Sequence, residues 1–170
     1  MSKIKLIVSD VDGVWTDGGV YYGSEGEELK KFNFRDGGGV VLASLVNLPV
    51  VILSGEDSNS VKHRMQKLKI TNVHLGIKNK RAYLQGIVKK MKIDLCDVAY
   101  IGDDINDLGV IELCGYTSCP SDSATIIKQV VDNILLSPGG SGAFREFVED
   151  ILKKENLYDL SIAKYKELKI

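Results

Sequence analysis

The chain has 170 residues, 44% hydrophobic and 26% charged, which suits one compact domain burying roughly 70% of its unfolded surface. With 22 Lys and Arg against 23 Asp and Glu, the net charge of -1 leaves no electrostatic footprint for nucleic acid or an acidic membrane. No apolar stretch approaches the ~20 residues that span a bilayer, and "MSKIKLIVSD" is too short and lacks a small-residue cleavage site for a secretory signal.

In chain order, "KIKLIVS" (3–9) reads as a strand buried on both faces. It runs straight into "SDVDGVWTDGG" (9–19), where Asp10, Asp12 and Asp17 crowd between a core segment and a glycine pair. Next comes "GGVYYGSEGEELKKFNFRDGGG" (18–39), with aromatic and β-branched residues on either side of a turn near Ser24-Glu25-Gly26. It reads as a β-hairpin that projects from the domain, so its aromatics Tyr21, Tyr22, Phe32 and Phe34 are assigned to oligomer packing rather than to a ligand platform.

"PVVILS" (49–54) and "VAYIG" (98–102) repeat the buried-strand pattern, while "NVHL" (72–75), "YTSC" (116–119) and "NILL" (133–136) are weaker strands. Apolar positions at helical spacing lie between and after them: Val61, Met65 and Leu68; Leu84, Ile87, Val88 and Met91; Phe144, Phe147, Val148 and Ile151. Such alternation predicts βαβ units on a parallel sheet. The expected layout is one domain over 1–155 with a hairpin insert at about 18–35, then a tail over 156–170. Three cysteines (Cys96, Cys114, Cys119) without a C-x-x-C pair point to reduced thiols in a cytoplasmic protein.

In an open parallel sheet, ligands collect at the carboxyl ends of the strands. Three such ends carry chemistry: Asp10 and Asp12, then Ser54-Gly55-Glu56, then Gly102-Asp103-Asp104, with Lys80 opening a helix. If they converge, the carboxylates repel unless a cation joins them, and an all-oxygen set suits Mg2+. An Asp followed two residues later by another suits phosphoryl transfer, the first attacking phosphorus and the second moving protons. Gly13 allows close backbone approach to a phosphate, the Ser54 hydroxyl can donate to it, and Lys80 can offset its charge. Plainer readings exist: Ser54 as a helix cap, Lys80 on a solvated face, Asp104 and Asp107 as first-turn acids, His63 and His74 as incidental.

"DVDGVWTD" (10–17), "LSG" (53–55), Lys80 and "GDDINDL" (102–108), taken together and in that order, resemble the four motifs of the haloacid dehalogenase superfamily. The resemblance implies a three-layer, Rossmann-like parallel sheet and an Mg2+-dependent phosphomonoesterase. It implies Asp10 as nucleophile, Asp12 as general acid and base, and Gly13, Ser54, Gly55 and Lys80 at the phosphate. Asp10, Asp103 and the Asp12 carbonyl would hold the metal, supported by Asp104 and Asp107. Asn79 stands where that pattern has an Asp before the lysine.

Too little chain separates the motifs for a cap domain, so the sequence resembles the capless class, whose hairpins pack in a homotetramer with a neighbouring subunit helping to close the site. "PGGSGAFREF" (138–147) resembles the glycine-rich motif of the phosphatases of 2-keto-3-deoxy sugar-acid phosphates. Within that group Glu56 and Asn106 resemble the nine-carbon 9-phosphate branch (sialic-acid type), with the eight-carbon 3-deoxy-D-manno-octulosonate 8-phosphate as the alternative. Glu56 is a candidate substrate contact; Arg64, Lys67 and Arg145 are either contacts to the substrate's carboxylate or surface charge. A phosphorylation-switch receiver domain would lack Asp12, and a silent oligomerisation module would not fill every motif position.

Overall fold

A computed structural model describes residues 3–26 and 28–168. Strands β1 (Leu6–Ser9), β4 (Val50–Leu53), β5 (Val73–His74), β6 (Val98–Ile101), β7 (Tyr116–Cys119) and β8 (Asn133–Ile134) form one parallel sheet, ordered β5-β4-β1-β6-β7-β8. In the centre Ile7 pairs with Val50 on one side and Ala99 on the other. Both faces are buried, so successive residues serve different cores. Ile7, Ile52, Ala99 and Ile101 face one cluster, while Leu6, Val8, Val51, Leu53, Val98 and Tyr100 face the other.

The first face carries α1 (Phe34–Leu45), α2 (Asn59–Lys67) and α6 (Ala143–Lys154); the second carries α3 (Lys80–Met91), α4 (Leu108–Ile111) and α5 (Thr125–Lys128). Helix α7 (Tyr158–Glu167), in the stretch expected as a tail, packs on α1: Ser161 Oγ donates to the Leu42 carbonyl at 2.8 Å and Lys164 Nζ to Leu45 at 2.9 Å.

The hairpin makes its own two-stranded sheet, β2 (Tyr21–Tyr22) with β3 (Glu28–Leu29), and its turn includes Gly26 at φ +85°. It ends sooner than the sequence suggests, because Asn33 caps α1 through the Arg35 amide and Phe34 opens that helix. The glycine run 37–39 therefore lies inside α1. Helical glycine costs about 1 kcal/mol against alanine, and close packing explains its use: a Cβ at Gly39 would lie 3.1 Å from the Arg145 Cα.

Two contacts fix the exit of β1. The fully buried Trp15 stacks on Phe144 with centroids 4.1 Å apart, and its Nε1 donates to Ser9 Oγ at 2.9 Å. The glycine-rich stretch at 138–142 then presses on the same loop: a Cβ on Gly139 would come within 2.1 Å of the Gly13 carbonyl, and the Gly140 amide donates to Val14.

Candidate active site

The exits of β1, β4 and β6 bring Asp10, Ser54 and Asp103 to one end of the sheet, and α3 brings Lys80 beneath them. Asn79 sets that last position by capping α3, its side chain accepting from the Ala82 amide at 3.0 Å. A neutral amide thus does the capping that an Asp would do.

Lys80 Nζ, almost wholly buried, lies 2.9 Å from Asp10 Oδ2 and 2.7 Å from Asp107 Oδ1. Asp107 is fully committed: Tyr100 donates its hydroxyl at 2.5 Å to Oδ1, and the Asp103 amide donates to Oδ2 at 2.9 Å. Asp104 caps the short turn Ile105–Asp107, accepting from the Ile105 amide at 2.8 Å. So Asp107 is a buried clamp joining Lys80, Tyr100 and the Asp103 loop, a role stronger than that of a first-turn acid.

Charge explains the protonation tendencies. Burial pushes the Asp10 carboxyl well above its ordinary range, Asp107 adds repulsion, and Lys80 pulls the other way. Burial and the carboxylates of Asp107 and Asp104 push Asp103 up to about 7. For Lys80, burial acts to lower the pKa, but Asp10 and Asp107 outweigh it and hold the ammonium above its usual value. One ammonium therefore shares a buried pocket with three acids, and a further cation would relieve the excess negative charge. Oxygens of Asp10, Asp103 and Asp107 lie within 4.8 Å of one another, a donor set that fits a hard divalent ion.

Gly13 closes this group. Its φ is +76°, and a Cβ there would stand 1.9 Å from Asp103 Oδ2, so no larger residue fits without displacing that carboxylate. Above it opens a cleft of about 260 Å3, lined by Asp10, Asp12, Ser54, Gly55, Glu56 and Asp103 among others. A larger groove of about 520 Å3 beside α2 and β5, lined by Met65, Ile70 and Leu75, gathers no such set of acids, so chemistry rather than volume locates the site.

Three expected substrate contacts are elsewhere. Arg64 donates to the Asn33 carbonyl at 2.8 Å and lies between Phe32 and Phe34, 5.9 and 5.7 Å from their ring centroids. Lys67 is exposed at the far end of α2, and Arg145 sits over Gly38 and pairs with Glu149. None of the three lines the cleft of its own chain. Asp17 caps a turn, accepting from the Gly19 amide at 3.1 Å, which matches a shaping role. The sequence reading also missed residues that the geometry brings in: Tyr100, hidden in an apolar strand, and Lys30, whose Nζ lies 2.8 Å from Asp12 Oδ1. No spacing signal marks either one.

A sequence model of the haloacid dehalogenase-like hydrolases matches residues 50–146. The chain is 35% identical over 99% of its length to the 3-deoxy-D-manno-octulosonate 8-phosphate phosphatase KdsC of Haemophilus influenzae, covering 96% of that protein. It is 36% identical over 92% of its length to the same-named protein of Escherichia coli K12, covering 84% of it. Among solved structures, the Moraxella catarrhalis 3-deoxy-D-manno-octulosonate 8-phosphate phosphatase, in complex with magnesium, phosphate and KDO, superposes with a TM-score of 0.91 at 37% identity, over 95% of this chain and 93% of that one. A cobalt-bound Haemophilus influenzae phosphatase gives 0.90 at 34% identity, over 96% and 97%.

Proposed function

The chain belongs to the haloacid dehalogenase-like hydrolases and is a phosphomonoesterase acting on a sugar-acid phosphate, and from that premise we propose that its substrate is 3-deoxy-D-manno-octulosonate 8-phosphate. The names of its relatives support the eight-carbon substrate, which displaces the nine-carbon one as first choice. The observation that carries the chemistry is the buried Lys80 bridging Asp10 and Asp107 beneath the cleft, which holds one carboxylate in place to meet a phosphorus atom.

Asp10 attacks phosphorus, forming the acyl-phosphate bond as the sugar oxygen leaves. Asp12, at the cleft wall, gives that oxygen its proton and then takes one from the water that releases inorganic phosphate. Ser54 and the amides near Gly13 and Gly55 hold the phosphoryl oxygens, and Lys80 balances their charge. Mg2+ would be held by Asp10, Asp103 and the Asp12 carbonyl; when bound it neutralises charge on the transferring phosphoryl group. Asp107 orients Lys80 and the Asp103 loop, and Asp104 fixes the adjoining turn.

The nine-carbon 9-phosphate remains the second reading because Glu56, a carboxylate suited to a polyol, lines the cleft. The hairpin's exposed Tyr21, Tyr22 and Leu29 support assembly as a homotetramer, in which Arg64, Lys67 or Arg145 could serve a neighbour's site. The test is steady-state phosphate release with Mg2+ from both sugar acids. The 8-phosphate should have the higher kcat/KM, and Asp10→Asn should abolish release while keeping the fold. Undiminished activity in Asp10→Asn would remove the nucleophile. A preference for the 9-phosphate that Glu56→Arg reverses would establish the second reading.

A further inference from the structure

Lys30 follows β3, and like Lys80 its ammonium meets a carboxylate at the cleft. Its side chain is 2% exposed. The Nζ lies 2.8 Å from Asp12 Oδ1 and 2.9 Å from Oδ2, so it grips both oxygens at once. It also lies 3.6 Å from Glu28 Oε1. Glu28 is anchored in turn: Ser58 Oγ donates to its carboxylate at 2.6 Å, and Ser60 Oγ donates to its carbonyl at 2.8 Å. An ammonium withdrawn from water loses much hydration energy and persists only with good partners, which here are two carboxylates.

We propose that Lys30 is a positioning residue for Asp12, holding its carboxylate in the orientation needed to take a proton from water when the phosphoryl-enzyme breaks down. The inference rests on the reading of Asp10 as nucleophile and Asp12 as acid and base. Asp12 alone, partly exposed at a cleft wall, has little to fix its rotation: among the described residues its carboxylate meets, besides Lys30, only Thr16 Oγ1, at a long 3.4 Å. The chain Ser58–Glu28–Lys30–Asp12 ties that rotation to the seating of the hairpin on the start of α2. Misplacing a catalytic group by as little as 1 Å can remove two orders of magnitude of rate.

p-Nitrophenyl phosphate isolates the step, because its phenolate leaves without a proton while phosphoryl-enzyme hydrolysis still needs Asp12. Stopped-flow on the full chain with Mg2+ is the measurement, using Lys30→Met, Lys30→Arg and Glu28→Gln, with folding checked by thermal melts. In Lys30→Met the first turnover should release p-nitrophenol as a burst near one per site, followed by a steady state slowed about 10- to 100-fold. Lys30→Arg should recover part of the steady-state rate, and Glu28→Gln, which leaves Asp12 and its ammonium in place, should show the same split more weakly. Equal slowing of burst and steady state, or no slowing of either, would overturn the proposal. A burst that persists in Asp10→Asn would instead overturn the underlying nucleophile reading.

Discussion

The floor of the cleft and the hairpin at its edge are built on opposite terms. At the floor Asp10, Lys80, Asp107 and Tyr100 are almost wholly buried, and Lys80 and Asp107 each have two or more partners. The hairpin has two residues per strand, and Tyr21, Tyr22 and Leu29 are more than 60% exposed. A preorganised charge array needs a fixed low-dielectric frame, while a strand pair with bare apolar side chains is stable only against something else. The molecule thus sets its charge array in a buried frame and its bare apolar side chains on the hairpin, and Lys30 joins the two.

The contrast breaks most severely at Lys80. Lys80→Met leaves buried carboxylates facing each other without their ammonium, and breaking such a pair typically costs about 3–5 kcal/mol. Urea unfolding should show a loss of that order, and phosphate release should vanish; near-wild-type stability would mean that the floor tolerates its charge. Gly13→Ala comes next, because alanine must adopt φ +76° and its Cβ meets Asp103. A loss of about 1–3 kcal/mol is expected from the backbone alone, together with a weakened Mg2+ requirement curve, read by titrating the ion against activity.

Asp36 sits in the first turn of α1, just after the hairpin, and faces α6. Its Oδ1 accepts from the Arg145 amide at 3.0 Å, Oδ2 has no hydrogen-bond partner among the described residues, and burial raises the group to about 6 against an ordinary 3.8. The native state therefore holds a proton that the unfolded chain gives up. Stability should fall as pH rises from about 4 to 6, by at most about 3 kcal/mol, and stay reduced above that window. Asp36→Asn should flatten this slope in urea midpoints taken across the range; an unchanged slope would assign it elsewhere. The smallest effect is expected at Tyr22→Ser on the hairpin, within about 0.5 kcal/mol for the folding of one chain. Sedimentation should nevertheless show weakened assembly, and an intact tetramer would place the subunit contact away from the hairpin.

The same division governs what could be read in the sequence. Strands β1, β4 and β6 were legible because they are buried on both faces and end abruptly in Asp, Ser and Gly, which also marks the acids at their exits. The hairpin's end at about residue 35 was drawn too late: Asn33 caps α1, and close packing against α6 holds glycines 37–39 inside that helix despite their low propensity. Arg64, Lys67 and Arg145 attracted attention as cations, yet only tertiary placement reveals that they miss the cleft of their own chain. Lys30 was hidden for the converse reason, since one lysine in "LKKF" looks like any solvated charge until the fold buries it.

In the proposed reaction Asp10 carries the phosphoryl group. Acid quenching during turnover of the 8-phosphate, followed by peptide mass spectrometry, tests it most directly. The peptide containing Asp10 should gain the mass of one phosphoryl group, a gain absent from Asp10→Asn. Turnover that proceeds in Asp10→Asn, or a phosphoryl group recovered on another residue, would contradict it.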